Sequence, residues 1–363
     1  MGNPQSNMAN LWNTPGDTMS LGCHSCPDRA HCGGQTQSGG FDCLEHCCQR
    51  PESCNIVCPN SSAYVDRYRE IRGFALDIPV ARKVDLPRLP SFVPLIYHGS
   101  ARNDVLSVPA AALKLYRFAR RNGDCPFASR EAVDKEFKLG GQARIILSGV
   151  AEDDEVERWW DLEMRGRVQA IKNLRRVGVS MVTTPNCSVI ANRPRHDDMH
   201  SLKRIGQMFH EFVSEGVPAA LHVNGRAERD FVRWAEFIVK HPEVTHIAYE
   251  FTTGTAHLQR MIQHCDWLCL LARSVGRRLG LVVRGGSRIL PALGRSFDVT
   301  LVGASAFSMA VKRHRAELQP GGGIKGVSNP LPEGHPIDAL LASNVNAFNH
   351  WIENLSDEFA IAA

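Results

Sequence analysis

No apolar run in the 363 residues approaches the length of a bilayer span, which excludes a helical membrane protein. The chain has no strand–GxGxxG–helix unit and no Walker A loop, so neither a dinucleotide fold nor a P-loop NTPase is indicated. No C-x3-C-x2-C radical-SAM motif is present, because Cys43-x3-Cys47 is followed directly by Cys48. The opening Met1-Gly2-Asn3 stretch lacks a basic n-region, an apolar core and a cleavage site, which points to a cytoplasmic protein. Charge is close to balanced at +4, with basic runs at Arg175-Arg176, Arg193-Pro194-Arg195-His196 and Lys312-Arg313-His314-Arg315. Such runs permit a nucleic-acid partner without specifying one. Hydrophobic content of 43% and charged content of 22% describe an ordinary globular chain.

What is present is a cluster of thiols. Eight of the twelve cysteines lie in one short segment, as Cys23-x2-Cys26-x5-Cys32 and Cys43-x3-Cys47-Cys48-x5-Cys54-x3-Cys58. The residues between them are rich in Gly, Pro, Ser and Gln and show no apolar periodicity. A segment of that composition cannot order itself by burying a core, so a cross-link must do it. The other cysteines, Cys125, Cys187, Cys265 and Cys269, sit in ordinary globular sequence, as in a reducing compartment. Metal is therefore expected over disulfides. Eight thiolates suit two four-thiolate sites, either [4Fe–4S] clusters or zinc, with iron–sulfur slightly preferred. The Cys23–Cys32 run, with Gly33-Gly34 after it, resembles the C-x2-C-x5-C-G-G segment of SPASM-type auxiliary-cluster domains, except that Thr36 stands where a fourth Cys follows. His24, His31 and His46 are alternative ligands.

From Ser91 to Ala310, short β-branched or apolar runs alternate with longer amphipathic segments. The runs are Phe92–Tyr97, Arg144–Leu147, Val179–Val182, Pro218–Val223, Thr245–Phe251, Leu281–Val283 and Val299–Val302, with Val105–Val108 as a weaker eighth. Helices are expected over 109–121, 165–177, 199–215, 227–241, 256–279 and 287–293. In the third, Leu202, Ile205, Met208 and Phe212 form one apolar stripe. Gly178, Gly216 and Gly280 stand where helices end. Strand–helix alternation of this length predicts an α/β fold, a (β/α)8 TIM-type barrel, irregular where no helix separates the first two strands. The expected domains are a Cys-rich segment (1–62), the barrel (63–318), and a C-terminal linker and helix (319–363).

A barrel carries its chemistry at the C-terminal strand ends. Reading just past each run gives His98 and Arg102, then Asp153 and Asp154, then Asn186. His222 and Asn224 follow, then Glu250, then Arg284. Asp153 and Asp154 begin a helix, where a carboxylate equally serves as a cap. Glu250 lies in the run Ile247-Ala248-Tyr249-Glu250-Phe251, where a carboxylate must be paired or functional. His222 has a structural alternative, donation to a backbone carbonyl, and Arg284 another, pairing with Glu250. Trp159 and Trp160 read as packing.

The strand-end sequences LSGVAEDDEVERWW (from Leu147), TTPNCSV (from Thr183), LHVN (from Leu221) and EFTTG (from Glu250) resemble the tRNA-guanine transglycosylase superfamily. The likeness is to its divergent phage and antiviral-operon members, including type IV CBASS loci. The resemblance implies pentosyl transfer, or binding, at a guanine or 7-deazaguanine base, in nucleic acid or free. Asp153, Asp154 and Glu250 would be the catalytic carboxylates. His98, Arg102, Asn186, His222, Asn224 and Arg284 would hold the substrate. Other defence-operon proteins would be partners. Two family features are missing, the Asp-Ser-Gly-Gly loop and the zinc motif C-x-C-x2-C…H. An inactive recognition or assembly subunit and an iron–sulfur redox protein are the other expectations.

Exchange at C1′ passes through an oxocarbenium-like state, which needs a carboxylate below the sugar and a group to protonate the leaving base. Arg102, Arg193, Arg195 and Arg284 are candidates for phosphate contact.

The thiol cluster generates a direct test. Anaerobically purified protein should be brown, absorb near ~400 nm and carry iron and sulfide. Colourless protein with stoichiometric zinc moves the site to zinc, and disulfides throughout remove both metals. Cys26→Ser or Cys32→Ser should unfold this segment and leave the barrel's melting transition in place, since the two draw on separate sources of stability.

Overall fold

The computed structural model describes residues 67–189, 195–320, 322–330, 332 and 334–361. The eight clustered cysteines, with His24, His31 and His46, lie outside the described residues, as does Arg193; Arg195 is described in its backbone alone.

Eight parallel strands form one sheet: β1 (Phe92–Pro94), β2 (Ala110–Lys114), β3 (Arg144–Ser148), β4 (Met181–Thr183), β5 (Ala219–His222), β6 (His246–Phe251), β7 (Leu279–Gly285) and β8 (Phe297–Gly303). Their order, β1-β8-β7-β6-β5-β4-β3-β2, is that of a barrel opened between β1 and β2. One parallel bridge, Leu95 to Ala112, with Ile96 N donating to Ala112 O at 2.9 Å, nearly closes it. Helices α1 (Arg130–Phe137), α2 (Asp153–Trp160), α3 (Glu163–Arg176), α4 (Arg195–Ser214), α5 (Glu228–Lys240), α6 (Leu258–Val275), α7 (Leu290–Gly294) and α8 (Ser305–Val311) follow the strands. The chain is thus an α/β protein with a nearly closed (β/α)8 barrel. Among the described residues no helix is long and apolar enough to cross a membrane.

The expected helix over 109–121 is instead strand β2, followed by a 3-10 turn at Leu115–Arg117. Ala-Ala-Ala-Leu-Lys favours helix locally, by a few tenths of a kcal/mol per residue at most. Pairing all five residues against β3 outweighs that preference, and Ala110 and Ala112 have the small volume that the barrel interior admits. Val105–Val108 is no strand, contributing only a bridge from Leu106 to Leu139. Helix α1 was not anticipated, and the expected 287–293 helix is a 3-10 turn at Ser287–Ile289 running into α7.

Two apolar clusters hold the barrel. The inner one contains Val93, Leu95, Ala110, Ala112, Ile146, Met181, Ala220, Ala248, Val282 and Val302, and Leu86 and Leu89 pack against it from the chain that enters β1. The outer one, between sheet and helices, is larger and takes the stripe Leu202, Ile205, Met208 and Phe212 of α4. Trp159 stacks on Phe212 at 5.7 Å, while Trp160 lies between the guanidiniums of Arg167 (4.1 Å) and Arg204 (4.7 Å). Each arginine is itself bidentate to a carboxylate, Arg167 to Glu211 and Arg204 to Glu157. Both tryptophans are therefore packing residues, Trp160 through cation–π contact.

After α8 the chain makes a hairpin, β9 (His314–Leu318) and β10 (Ile324–Ser328), then α9 (Asp338–Ile361). Residue 318, the expected end of the barrel domain, falls inside this hairpin, and α9 packs on β1, α7, α8 and β9. Buried Asn344 of α9 fixes the hairpin, accepting from Ala316 N at 2.7 Å and donating to His314 O at 3.0 Å.

Gly149, just past β3, is a point of very close backbone approach at the rim. A Cβ there would lie 2.4 Å from Thr183 O and 2.6 Å from Thr184 C, both backbone atoms with no freedom to yield. Gly149→Ala should therefore cost on the order of 2–4 kcal/mol, measured by chemical unfolding. A loss below the usual surface range would show that β3 and β4 are further apart than this.

Candidate functional site at the barrel mouth

Side chains alternate across a strand, so the residue two beyond a core position faces the same interior. Ala112 is followed by Lys114, Ile146 by Ser148, Ala220 by His222, Ala248 by Glu250 and Val282 by Arg284. Each pair steps from an apolar floor to a polar layer at the C-terminal mouth. Glu250 and Arg284 are register partners on adjacent strands, as are Lys114 and Ser148.

Glu250 is buried, and donors surround it. Thr252 N reaches Oε1 at 3.2 Å, and the Thr252 hydroxyl donates to the same oxygen. Oε2 accepts from Asn186 Nδ2 at 3.3 Å and Thr253 Oγ1 at 3.4 Å. Asn186 Oδ1 in turn accepts from Asn224 Nδ2 at 2.8 Å, and that same nitrogen donates to Cys187 O at 2.9 Å. Trp234 Nε1 holds Asn224 O at 2.7 Å from below. The expected residues Asn186, Asn224 and Glu250 thus form one hydrogen-bonded unit built from the loops after β4 and β5 and the end of β6. Thr184 secures the base of this unit, its hydroxyl accepting from His222 N at 2.8 Å.

Beside that unit is a small void lined by Ile146, Ser148, Val150, Thr183, His222, Ala248, Val282 and Arg284, among others. Its free space is about 10 Å³, the room of one water. Ser148 Oγ and His222 Nδ1 are buried there without hydrogen-bond partners. Unpaired buried polar atoms cost free energy, and these two belong to residues that line the same void. His222 does not make the carbonyl contact considered for it. Arg284 Nη1 donates to Val150 O at 3.2 Å and closes the void on one side. No Glu250–Arg284 ion pair exists among the described residues. Burial, with the nearby Arg284 charge, drops the His222 pKa to about 3, so the ring is neutral. Burial and Glu250 push the Tyr249 phenol up, and its hydroxyl is bonded to His264 Nδ1.

The remaining expected residues lie elsewhere. Asp153 and Asp154 are exposed in the first turn of α2; Asp154 pairs with Arg158 at 3.0 Å, and Asp153 accepts from Ser188 Oγ. Ser188 belongs to the Asn186 loop, so Asp153 is tethered to the rim without entering the mouth. Arg102 is buried, with its donors on Phe137 O (2.8 Å), Lys138 O (2.6 Å) and Asp338 Oδ1 (3.3 Å). It joins the loop after β1 to α1 and α9, which leaves no free face for substrate. His98 packs edge-on against Phe307 at 5.0 Å, beyond β1, and makes no contact with the Glu250 unit.

Sequence reading missed Ser148 and Lys114. Ser148 lies one residue past the expected end of its strand, and Lys114 was assigned to a helix. The period-two step from Ile146 would have found the first; nothing local marks the second. Lys114 is ion-paired with Glu155 of α2. No group of three or more His, Cys, Asp or Glu side chains able to hold a metal exists among the described residues.

No protein-family model matches this chain, and no curated protein matches it. The class is set by the fold and the site alone: a (β/α)8-type barrel with a buried carboxylate–amide unit and two unpaired polar atoms at its mouth.

The His222 ring makes stability depend on pH with a definite sign. Its pKa is depressed from 6.5 to about 3 in the fold, so the unfolded chain alone takes up this proton between those values. Stability through His222 is complete above pH 6.5 and is lost as pH falls toward 3, at up to about 1.4 kcal/mol per pH unit. His264, depressed to about 4, acts the same way. Urea unfolding from pH 7 to 4.5 should show the decline, and His222→Asn should flatten it by close to one proton; an unchanged slope would mean that His222 is charged or solvated.

Proposed function

We propose that the barrel mouth binds a purine-type base of the guanine or 7-deazaguanine kind, as in a transglycosylase-like protein. The observation that carries the reading is the pair of unpartnered buried atoms, Ser148 Oγ and His222 Nδ1, beside the Asn186–Asn224–Glu250 unit. A hydroxyl and a neutral imidazole supply a donor and an acceptor, as the edge of a purine requires. The void holds no ring in its present form. Ligand entry therefore requires the Arg284–Val150 contact to open, after which the polar edge of the base meets Ser148 and His222.

In the enzyme reading Glu250 faces the positive charge that develops at C1′, and it is the carboxylate suited to this by position. Its four donor contacts fix its orientation. The leaving base needs a proton from elsewhere, and neutral His222 does not carry one at ordinary pH. Asp153 and Asp154 face solvent, so they serve only if the rim closes over the ligand. That outward placement favours a second reading, a recognition subunit that binds the base without exchanging it. The link to nucleic acid and to a bacterial antiviral operon rests on the strand-end motifs. The proposal that Cys23, Cys26, Cys32, Cys43, Cys47, Cys48, Cys54 and Cys58 hold [4Fe–4S] clusters, or zinc, rests on their spacing.

Guanine or 7-deazaguanine at about a hundred times its Kd should stabilise the protein by roughly 2.7 kcal/mol, read as a rise in melting temperature. Glu250→Gln should abolish exchange of labelled base into nucleic acid at a cost of about 1 kcal/mol in stability, because one new N–H then meets the Asn186 amide. Binding with no exchange by the wild type selects the recognition reading. Neither binding nor exchange removes both.

A further inference from the structure

Past β2 the chain leaves the barrel through the Leu115–Arg117 turn. It then reverses in a tight loop, with Arg120 N donating to Asp124 O and Gly123 N to Arg120 O, both at 2.9 Å. This loop and α2 enclose a groove of about 450 Å³ whose walls include Tyr116, Arg120, Arg121, Glu155, Arg158 and Trp159. The groove has a marked imbalance of donors over acceptors. Arg120 and Arg121 are exposed and have no acidic partner among the described residues. Arg158 is engaged by Asp154 of its own helix, through the carboxylate at 3.0 Å and the backbone carbonyl at 3.1 Å. Glu155 is the sole carboxylate in the lining, and Lys114 from the mouth neutralises it. The exposed, unpartnered guanidiniums of Arg120 and Arg121 suit an oxyanion, and arginine forks match the geometry of a phosphoryl group.

The groove adjoins the mouth. The Tyr116 hydroxyl donates to Gly149 O at 2.8 Å, and Gly149 directly follows Ser148 of the void. The Lys114–Glu155 pair bridges mouth and groove a second time. We infer that this groove binds a phosphoryl group, carried by the same ligand whose base enters the mouth; the last clause rests on the base-binding reading above, while the anion site does not. The phosphoryl group is either a diester of a polynucleotide or the terminal phosphate of a mononucleotide.

The test uses the full chain and three probes: a short fluorescein-labelled single-stranded RNA, guanosine monophosphate, and free guanine. The double variant Arg120→Ala/Arg121→Ala touches exposed side chains only. It should weaken a phosphorylated probe by roughly tenfold or more and leave guanine binding within about twofold. Loss on the RNA, with a salt dependence shallower by about one to two charges, identifies a backbone diester. Loss on the monophosphate alone identifies a terminal phosphate. Wild-type affinity of the arginine variant for both phosphorylated probes would overturn the inference, even with guanine still bound. Arginine-dependent binding of a phosphorylated probe, with no affinity for guanine, would keep the anion site and remove the base from the mouth.

Discussion

A step of two positions takes each of five strands from a core side chain to a mouth side chain, and this step organises the molecule. Ala248 and Glu250, Ala220 and His222, Val282 and Arg284, Ile146 and Ser148, and Ala112 and Lys114 are adjacent positions on one inward face. Because all eight strands run in parallel, the second member of every pair arrives at the same rim. Packing of the first member fixes the second. A register slip of one residue would send both to the helix side, where Tyr249 and Val283 now contribute to the outer core.

The mouth is where local stability yields to something else. Glu250 is well supplied with donors, and Asn224 and Asn186 are bonded to each other and to the backbone. Ser148 and His222, a few residues away in the sheet, are left unpaired beside a void with about 10 Å³ of free space. A stable fold has no need of this arrangement, and an apolar pair would fill the space better. Arg284 adds to the contrast, since its charge disfavours protonation of His222 while its hydrogen bond goes to Val150 O. Two buried arginines away from the mouth behave differently. Arg102 and Arg167 each spend their donors on carboxylates or carbonyls, joining helices and loops around the barrel.

The rim has an inside and an outside, and charge is divided between them. Glu250 is the inner carboxylate, whereas Asp153, Asp154 and Glu155 stand in the first turn of α2, where the helix dipole favours them. The Asn186 loop joins the two regions, bonded to Glu250 on one side and, through Ser188, to Asp153 on the other. Beyond α2 the balance reverses, and the arginines of the 120–124 turn face the groove unopposed.

The sequence by itself determined the alternation of strands and helices, and with it the barrel. Its apolar runs are too short for helices, and its amphipathic segments carry a 3.6-residue stripe. It also determined most of the mouth, because polar residues at the ends of parallel strands share a rim whatever the details of packing; Asn186, His222, Asn224, Glu250 and Arg284 were legible on that ground alone. Tertiary structure decided the rest. Ala110–Lys114 is a strand because β3 offers it five pairing partners, a long-range gain that no local propensity reports. Arg102 is a structural residue because α1 and α9 bring carbonyls and Asp338 to it from distant parts of the chain. Asp153 and Asp154 face outward because α2 starts where it does. Residue type and strand position specify which end of a barrel a side chain reaches. Whether it is free there depends on groups that only folding brings within hydrogen-bond distance.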